Sequence, residues 1–509
     1  MAIRKPFRIP LSAAYTQRIS AINTQGGSSG IVGVGIVGLM TVGGTIGTST
    51  GSANKDARFI NCFSETITDP ITGKKRVYTV KRPGWGVNST PAAGNIGNDI
   101  FIWTGETPGN HVISAFGATN STVYNGVTSL GAITGRVTGL TETKVGANVP
   151  TIVTASSDST GWYYDTVTAA FTKITDADFP GNAGKTLAGT FCHMDGYACI
   201  MDTTGVLWAS DLNSVTAWTA TSYDTANAYP DAGVAAVRHG HMIMCFGTQS
   251  LQFFYNAGLT PFPFAKEVAK TVKVGAISAD AIARISDTTF WAGSTPEGGL
   301  SVFQYDGSVS RISTPEIDGL LILAGTTNVS LTTTRYYGRS FVRVKAAASV
   351  YVYCIEEKFW FEETTLTPLA TKTASISIGG TMVNYAISNI STLGKVFVQN
   401  HASLNFTDNG EAYGARVQLP PMDHGTARKK FWEDATLIAD REATTSPITL
   451  FYSDDDYQTY TVREDGDLSA DQVYWTRLGA SKRRAWGILH QANTPMRIEA
   501  LEGNFEVGV

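Results

Sequence analysis

Short runs rich in Val, Ile, Thr, Tyr, Phe and Trp fill the chain beyond Asn54, and turn residues interrupt them every ~8–12 residues. Asp99–Trp103, Gly161–Asp165, His241–Phe246 and Lys395–Gln399 are of this kind. Side chains that are β-branched or aromatic suit a pleated, half-buried surface, so the pattern predicts an all-β fold. Helical pieces are expected at most over Ile277–Ile285 and Ala435–Glu442. The runs also rhyme in pairs. Trp162–Asp165 is followed by Phe171–Ile174, Val206–Asp211 by Trp218, Val302–Asp306 by Val309–Ile312, and Phe451–Asp454 by Tyr460–Val462. In each, an aromatic strand ends in an acidic turn and a second strand returns. Hairpins recurring about every 40–50 residues predict β-propeller blades, with a β-sandwich array as the alternative.

The start of the chain has another texture. From Gly26 to Ser52 glycines alternate with apolar residues and no side chain is charged. The apolar centre, Ile31–Gly47, spans 17 residues, the short edge of what a membrane helix requires. Each glycine costs such a helix ~1 kcal/mol relative to alanine, so an apolar loop or hairpin is the better reading. The expected organisation is a glycine-rich arm over 1–55, a propeller with most of its blades over 56–320, a β-rich insert or platform over 321–425, and strands closing the propeller or contacting a ring over 426–509. Within the third part, Leu419–His424 reads as an extended connector, because each proline biases its predecessor away from helix.

Charge narrows the function. Lys and Arg number 39 against 43 Asp and Glu, a net charge of −4, and charged residues are only 16% of the chain. Coating DNA requires dense Lys and Arg, so a generally basic DNA-binding protein is excluded, whereas a wall that DNA slides past is not. Cys62, Cys192, Cys199, Cys245 and Cys354 are widely spaced in apolar surroundings and read as small buried hydrophobes. With no apolar signal-peptide region after the basic start, synthesis in a reducing cytoplasm is expected.

The motifs that could carry chemistry read as turns and edges. Gly33, Gly35 and Gly38 fit a dinucleotide fingerprint with Asp56 downstream, but glycines continue where its helix should begin. Gly181–Thr186 resembles the end of a phosphate loop, yet Phe179 stands where that loop needs glycine. His239 and His241 would share a strand face, without a carboxylate or cysteine to complete a metal site. Asp454–Asp456 and Asp465 with Asp467 offer oxygens to calcium outside the EF-hand pattern. Glu356, Glu357, Glu362 and Glu363 could pair as glycosidase carboxylates, but an edge strand with Glu356 and Lys358 on one face explains them better. No nucleophile elbow or zinc-protease motif is present, so neither an enzyme nor a cofactor or metal is expected. Arg477, Lys482, Arg483 and Arg484, with Lys429 and Lys430 earlier, form a basic cluster that could contact phosphate or an acidic partner.

Four stretches carry a family resemblance: Arg58–Phe63 with Arg82–Gly86, Leu207–Leu212 with Trp218, Arg238–Gly247 with Ser250–Phe254 and Lys273–Gly275, and Phe451–Asp456 with Trp475–Gly479 and Arg483–Arg484. In this order they resemble the tail-hub, or nozzle, proteins of short-tailed (podovirus) bacteriophages, also called packaged-DNA-stabilisation proteins. The likeness spans roughly two-thirds of the chain; the 26–52 run is an addition to the family pattern, and 320–425 matches it poorly.

The resemblance implies a homo-hexamer below the portal and its adaptor, the head-to-tail connector protein. Such a ring retains the packaged genome, lets double-stranded DNA through its lumen without reading sequence, and anchors tail fibres, spikes or a needle. The protein would sit in the virion tail after synthesis in the host cytoplasm, with no catalytic residues. In six copies, the loop bearing Ile31, Val34, Ile36, Val37, Leu39, Met40, Val42 and Ile46 would form either a channel gate or an arm docked on a neighbouring subunit or the adaptor, the arm being preferred. Two other functions fit a propeller: a glycan-binding or glycan-degrading protein, and a receptor-binding tail fibre.

Overall fold

The computed structural model describes residues 3–11, 58–68, 70, 73, 75–103, 111–145, 149–295, 297–364, 370–400 and 405–508. The gate-or-arm loop and the glycine fingerprint fall outside these residues.

Antiparallel strands dominate. Five consecutive segments, over 97–133, 137–173, 187–225, 233–266 and 282–311, each form a freestanding four-stranded meander. Residue choice sets their turns. Asp195 and Gly196 lie at φ 51° and 89° between paired Met194 and Tyr197, the two-residue hairpin whose twist matches that of its strands. Central strands are apolar on both faces because each sheet is pressed between two others; in Met242–Gly247 every residue but the first is buried. Met244 and Phe246 of the fourth sheet pack against Trp291 and Phe303 of the fifth, and equivalent clusters join the earlier neighbours.

These sheets are propeller blades, and the ring closes by mixing distant parts of the chain. A sixth four-stranded sheet takes three strands from 372–400 and its fourth from Gly86–Ser89, with Phe397 opposite Val87 and Val398 opposite Gly86. Its Ile387 and Val396 pack on Ile100 and Phe116 of the first blade. Between the fifth and sixth blades stands the meander 329–363: Val342, Tyr351 and Trp360 cover the fifth blade, and Asn384 of the sixth bonds the Arg335 backbone in both directions at 2.8 and 2.9 Å. Six freestanding blades and this seventh sector therefore surround one axis.

The seventh sector does not stop at four strands. It continues through Arg58–Ile60, Ala415–Gln418, Ala485–His490, Pro447–Ser453 and Thr461–Asp467 into a nine-stranded sheet. A seven-stranded sheet, centred on Arg497–Val507, covers it, and Phe7, Phe63, Trp432, Trp475, Trp486 and Phe505 fill the core between them. The molecule is thus a propeller fused through one blade to a β-sandwich.

The all-β propeller is as the sequence indicates, but the expected boundaries differ. The 321–425 stretch is no separate insert: it supplies the seventh sector, most of the sixth blade and one sandwich strand. The 426–509 strands lie in the two large sheets, and Gly86–Ser89 closes the propeller in their place. Ala435–Glu442 belongs mostly to the strand Lys430–Ala439, and within Ile277–Ile285 only Ala279–Ala281 makes a single 3-10 turn. The α-helix among the described residues is Pro315–Ala324, whose Ile317, Leu320 and Leu321 pack on the fifth blade and the seventh sector.

Candidate functional site

The first strand of each blade runs beside the axis, so the ends of these strands define its two mouths. At their C-terminal ends the axis opens into a cavity of about 480 Å3, walled by Phe101, Thr141, Phe191, Val237 and Arg284 among others. Near their starts a second cavity of about 230 Å3 lies beside Asn98, Arg136 and Asp280. Between the mouths, Ala279–Ala281 touches the inner strands of both the third blade and the seventh sector and so bridges the axis. Lys372 Nζ meets Asp280 Oδ1 at 2.6 Å, tying this plug to the sixth blade, and beside it Arg136 Nε bonds Asn98 Oδ1 of the first blade at 2.9 Å. Cavities of this size suit small ligands, whereas the major groove alone of B-DNA is ~12 Å wide. A duplex cannot thread one subunit along its propeller axis.

The basic cluster separates into two kinds of residue. Arg484 is buried: its Nε and Nη2 meet Asp454 at 2.7 and 2.8 Å, Nη1 donates to the Leu478 carbonyl at 2.7 Å, and its guanidinium lies 3.8 Å from the Tyr452 ring centre. That corrects its assignment as a partner contact, since every face of the fork is already committed. Lys430 is likewise buried, donating to the carbonyls of Thr426, Arg428 and Lys482 at 2.7, 3.1 and 2.6 Å. Arg477, Lys482 and Arg483 are exposed, with Arg483 paired to Asp456. These three remain accessible, in the turns flanking the short strand Ala480–Ser481.

The other acidic motifs hold the fold. Asp454 and Asp456 answer Arg484 and Arg483, while Asp455 accepts from Ser453 Oγ and the Thr459 backbone. Glu363 forms a buried fork with Arg343 at 2.8 and 2.9 Å, Glu357 pairs with Arg339, and Glu356 accepts from the Ser340 backbone. The stretch before Phe359 is a turn rather than a strand, with Lys358 at φ 51°, so Glu356 and Glu357 are not on opposite strand faces. His239 is buried, with Nδ1 2.9 Å from Thr289 Oγ1, whereas His241 is exposed in the following turn. Among the described residues no group of His, Cys, Asp and Glu could hold a metal ion. All five cysteines are buried thiols.

Propeller and sandwich meet at a buried polar junction that the sequence motifs encode. Asn61 sits at φ 55°, and its Oδ1 receives Arg82 Nε at 2.9 Å. Arg82 reaches Asp408 with both Nη atoms at 3.1 and 2.5 Å, and Asp408 Oδ1 also accepts the Trp85 backbone N–H at 2.9 Å. Gly84 passes so close to the Thr407 backbone that a Cβ would come 2.2 Å from its carbonyl oxygen. One residue away, Lys81 lies buried 3.5 Å from His490 Nδ1; burial, reinforced by the Arg82 charge, lowers its pKa to about 7.

Together these features define a structural protein class: a blade-packed propeller built into a sandwich, with its polar motifs spent on internal cohesion. The comparison with protein families gives the identity. Residues 119–362, from the outer hairpin of the first blade to the end of the seventh sector, match the family model described as Bacteriophage P22 Gp10, beta-propeller. Over these residues the propeller is of this family, and the match supports a phage tail-hub protein, a structural component of the tail. No curated protein matches it. Among solved structures, BBS1N in complex with ARL6DN, soaked with lead, is 10% identical with a TM-score of 0.39, covering 63% of this chain and 97% of that one. BamB from Moraxella catarrhalis is 13% identical with a TM-score of 0.34, covering 60% and 94%. Likenesses this loose carry no argument about function.

Proposed function

We propose that six copies of this tail-hub subunit form a ring below the portal and its adaptor in a short-tailed phage. Double-stranded DNA passes through the lumen between the copies without being read by sequence. The observation that supports this reading is the bridged propeller axis: with no route for a duplex through one subunit, a passage requires several subunits around it. A propeller fused to a sandwich through a shared sheet is a stiff wedge, suited to closed ring packing. The low charge of the chain limits phosphate contacts, each of which would retard sliding DNA. The ring retains the packaged genome before ejection and offers its outside to fibres, spikes or a needle. Arg477, Lys482 and Arg483 are proposed as partner contacts, and the apolar 26–52 run as an arm on a neighbouring subunit or the adaptor.

Native mass spectrometry of the purified full chain, alone and with its adaptor protein, tests this. Six copies per complex are expected. A monomer that stays single with the adaptor present and turns over or binds glycans would overturn the proposal.

A further inference from the structure

The inner strands of five successive sectors end alike. Val137–Val145, Leu187–Met194, Gly233–His239, Ile282–Ile285 and Val329–Tyr336 carry Lys144, His193, Arg238, Arg284 and Arg335 at the last position but one. The equivalence is one of register. His193, Arg238, Arg284 and Arg335 each pair across their hairpin with the residue five further on: Ala198, Ile243, Thr289 and Ser340. Inner strands share one direction around a propeller axis, so these side chains gather on a single rim. Lys144, His193, Arg238 and Arg284 line the 480 Å3 cavity.

Each arginine steps back onto the preceding sector. Arg238 donates to the His193 carbonyl at 3.5 Å and to the Gly240 carbonyl at 3.1 Å, Arg284 to the Arg238 carbonyl at 2.7 Å, and Arg335 to Ser286 Oγ. Among the described residues none of the three forms an ion pair. Glu142 is the carboxylate in the cavity wall, and Asp195 and Asp287 act on His193 and Arg284 from farther off. His193 Nε2 is buried without a hydrogen-bond partner. Burial, then the charges of Arg238 and Lys144, lowers the His193 pKa, so its ring stays neutral.

Guanidinium groups held by neutral carbonyls keep their full charge and spare N–H donors, and planar forks match the oxygens of phosphate. Phe101 and Phe191 add an apolar wall against which an organic body can rest. We propose that this mouth binds a phosphate group carried on a ligand no larger than a nucleotide, with Arg238 and Arg284 as the principal contacts. The phosphate could belong to a free nucleotide or to the phosphorylated end of a DNA strand. The proposal is independent of ring assembly, because the site lies within one subunit.

Calorimetric titration of the full chain with pyrophosphate, AMP, and a short oligonucleotide with and without a 5′ phosphate tests it. Saturable binding of pyrophosphate is expected, weakened about tenfold or more in Arg284→Gln and lost in the Arg238→Gln, Arg284→Gln pair. The surface control Arg483→Gln should bind as wild type, and urea midpoints should show that the variants remain folded. Should the double variant unfold, Arg284→Gln, altered on an exposed side chain, decides alone. AMP binding without oligonucleotide binding assigns a free nucleotide, and preference for the phosphorylated oligonucleotide assigns a strand end. The proposal is overturned if no probe binds saturably, if binding survives both substitutions, or if the two oligonucleotides bind equally, since that would be backbone contact.

Discussion

Arg483 and Arg484 are adjacent and answer the same acidic turn, yet one is exposed and the other buried. Removing Arg484 leaves the Leu478 carbonyl buried without its donor and the Tyr452 ring without its stacked partner, a cost of roughly 1–3 kcal/mol, whereas an exposed pair contributes ~0–1 kcal/mol. Arg484→Ala is therefore expected to lower the unfolding free energy by about 1–3 kcal/mol and Arg483→Ala by under about 1 kcal/mol. Similar small losses in urea titrations of both would contradict the assignment. Histidines add a pH dependence. Burial, then Lys81, lowers the His490 pKa from 6.5 to about 3, and burial, then Lys430, lowers that of His424 to about 4. As pH falls through 6.5 the unfolded chain takes up protons that the fold refuses, so stability is full above that pH and drains away toward pH 3. His490→Asn should flatten the acid limb of a stability-against-pH curve by on the order of 3 kcal/mol at pH 4. An unchanged slope would show that His490 is not held neutral. At this scale the sequence signalled the cluster at 477–484 without its sorting, because burial depends on Trp432, Tyr452 and Trp486 closing around Arg484 from other strands.

Among elements, those with local partners were the most legible. Three of the rhyming pairs, at Trp162, Val206 and Val302, are the outer hairpins of the second, third and fifth blades, where an acidic turn or loop joins strands adjacent in sequence. The pair at Phe451 is a hairpin too, but in the sandwich, which local pattern cannot tell from a blade. The helix Pro315–Ala324 carried its own signals, Thr314 before a first-turn proline with Glu316 and Asp318 following, though three turns are too short for apolar period to stand out. Ring closure was hidden because Gly86–Ser89 pairs with a strand some three hundred residues later. Its approach depends on Gly84. Gly84→Ala would drive a methyl into the Thr407 backbone, so hydrogen exchange should accelerate across Val396–Asn400 more than in the fourth blade. Equal exchange in both would show that the Gly84 contact does not hold the closing strand.

Across the whole molecule, propeller and sandwich share a sheet, and the residues that carried the family resemblance stand partly at their junction and partly in blade cores. Asn61, Arg82 and Gly84 are spent on that joint, and the Met242–Gly247 stretch on a blade core. The resemblance was therefore one of architecture, visible because joints and cores constrain residue type tightly. The rim of Lys144, His193, Arg238, Arg284 and Arg335 was not visible, since its spacing varies with each blade's loops and aligns only once the strand ends are known. Electron cryomicroscopy of intact phage tails is the decisive measurement. A ring of six copies below the adaptor is expected, with DNA in the shared lumen and every propeller axis free of duplex. Tails lacking this chain, or duplex density running through a single propeller, would contradict it.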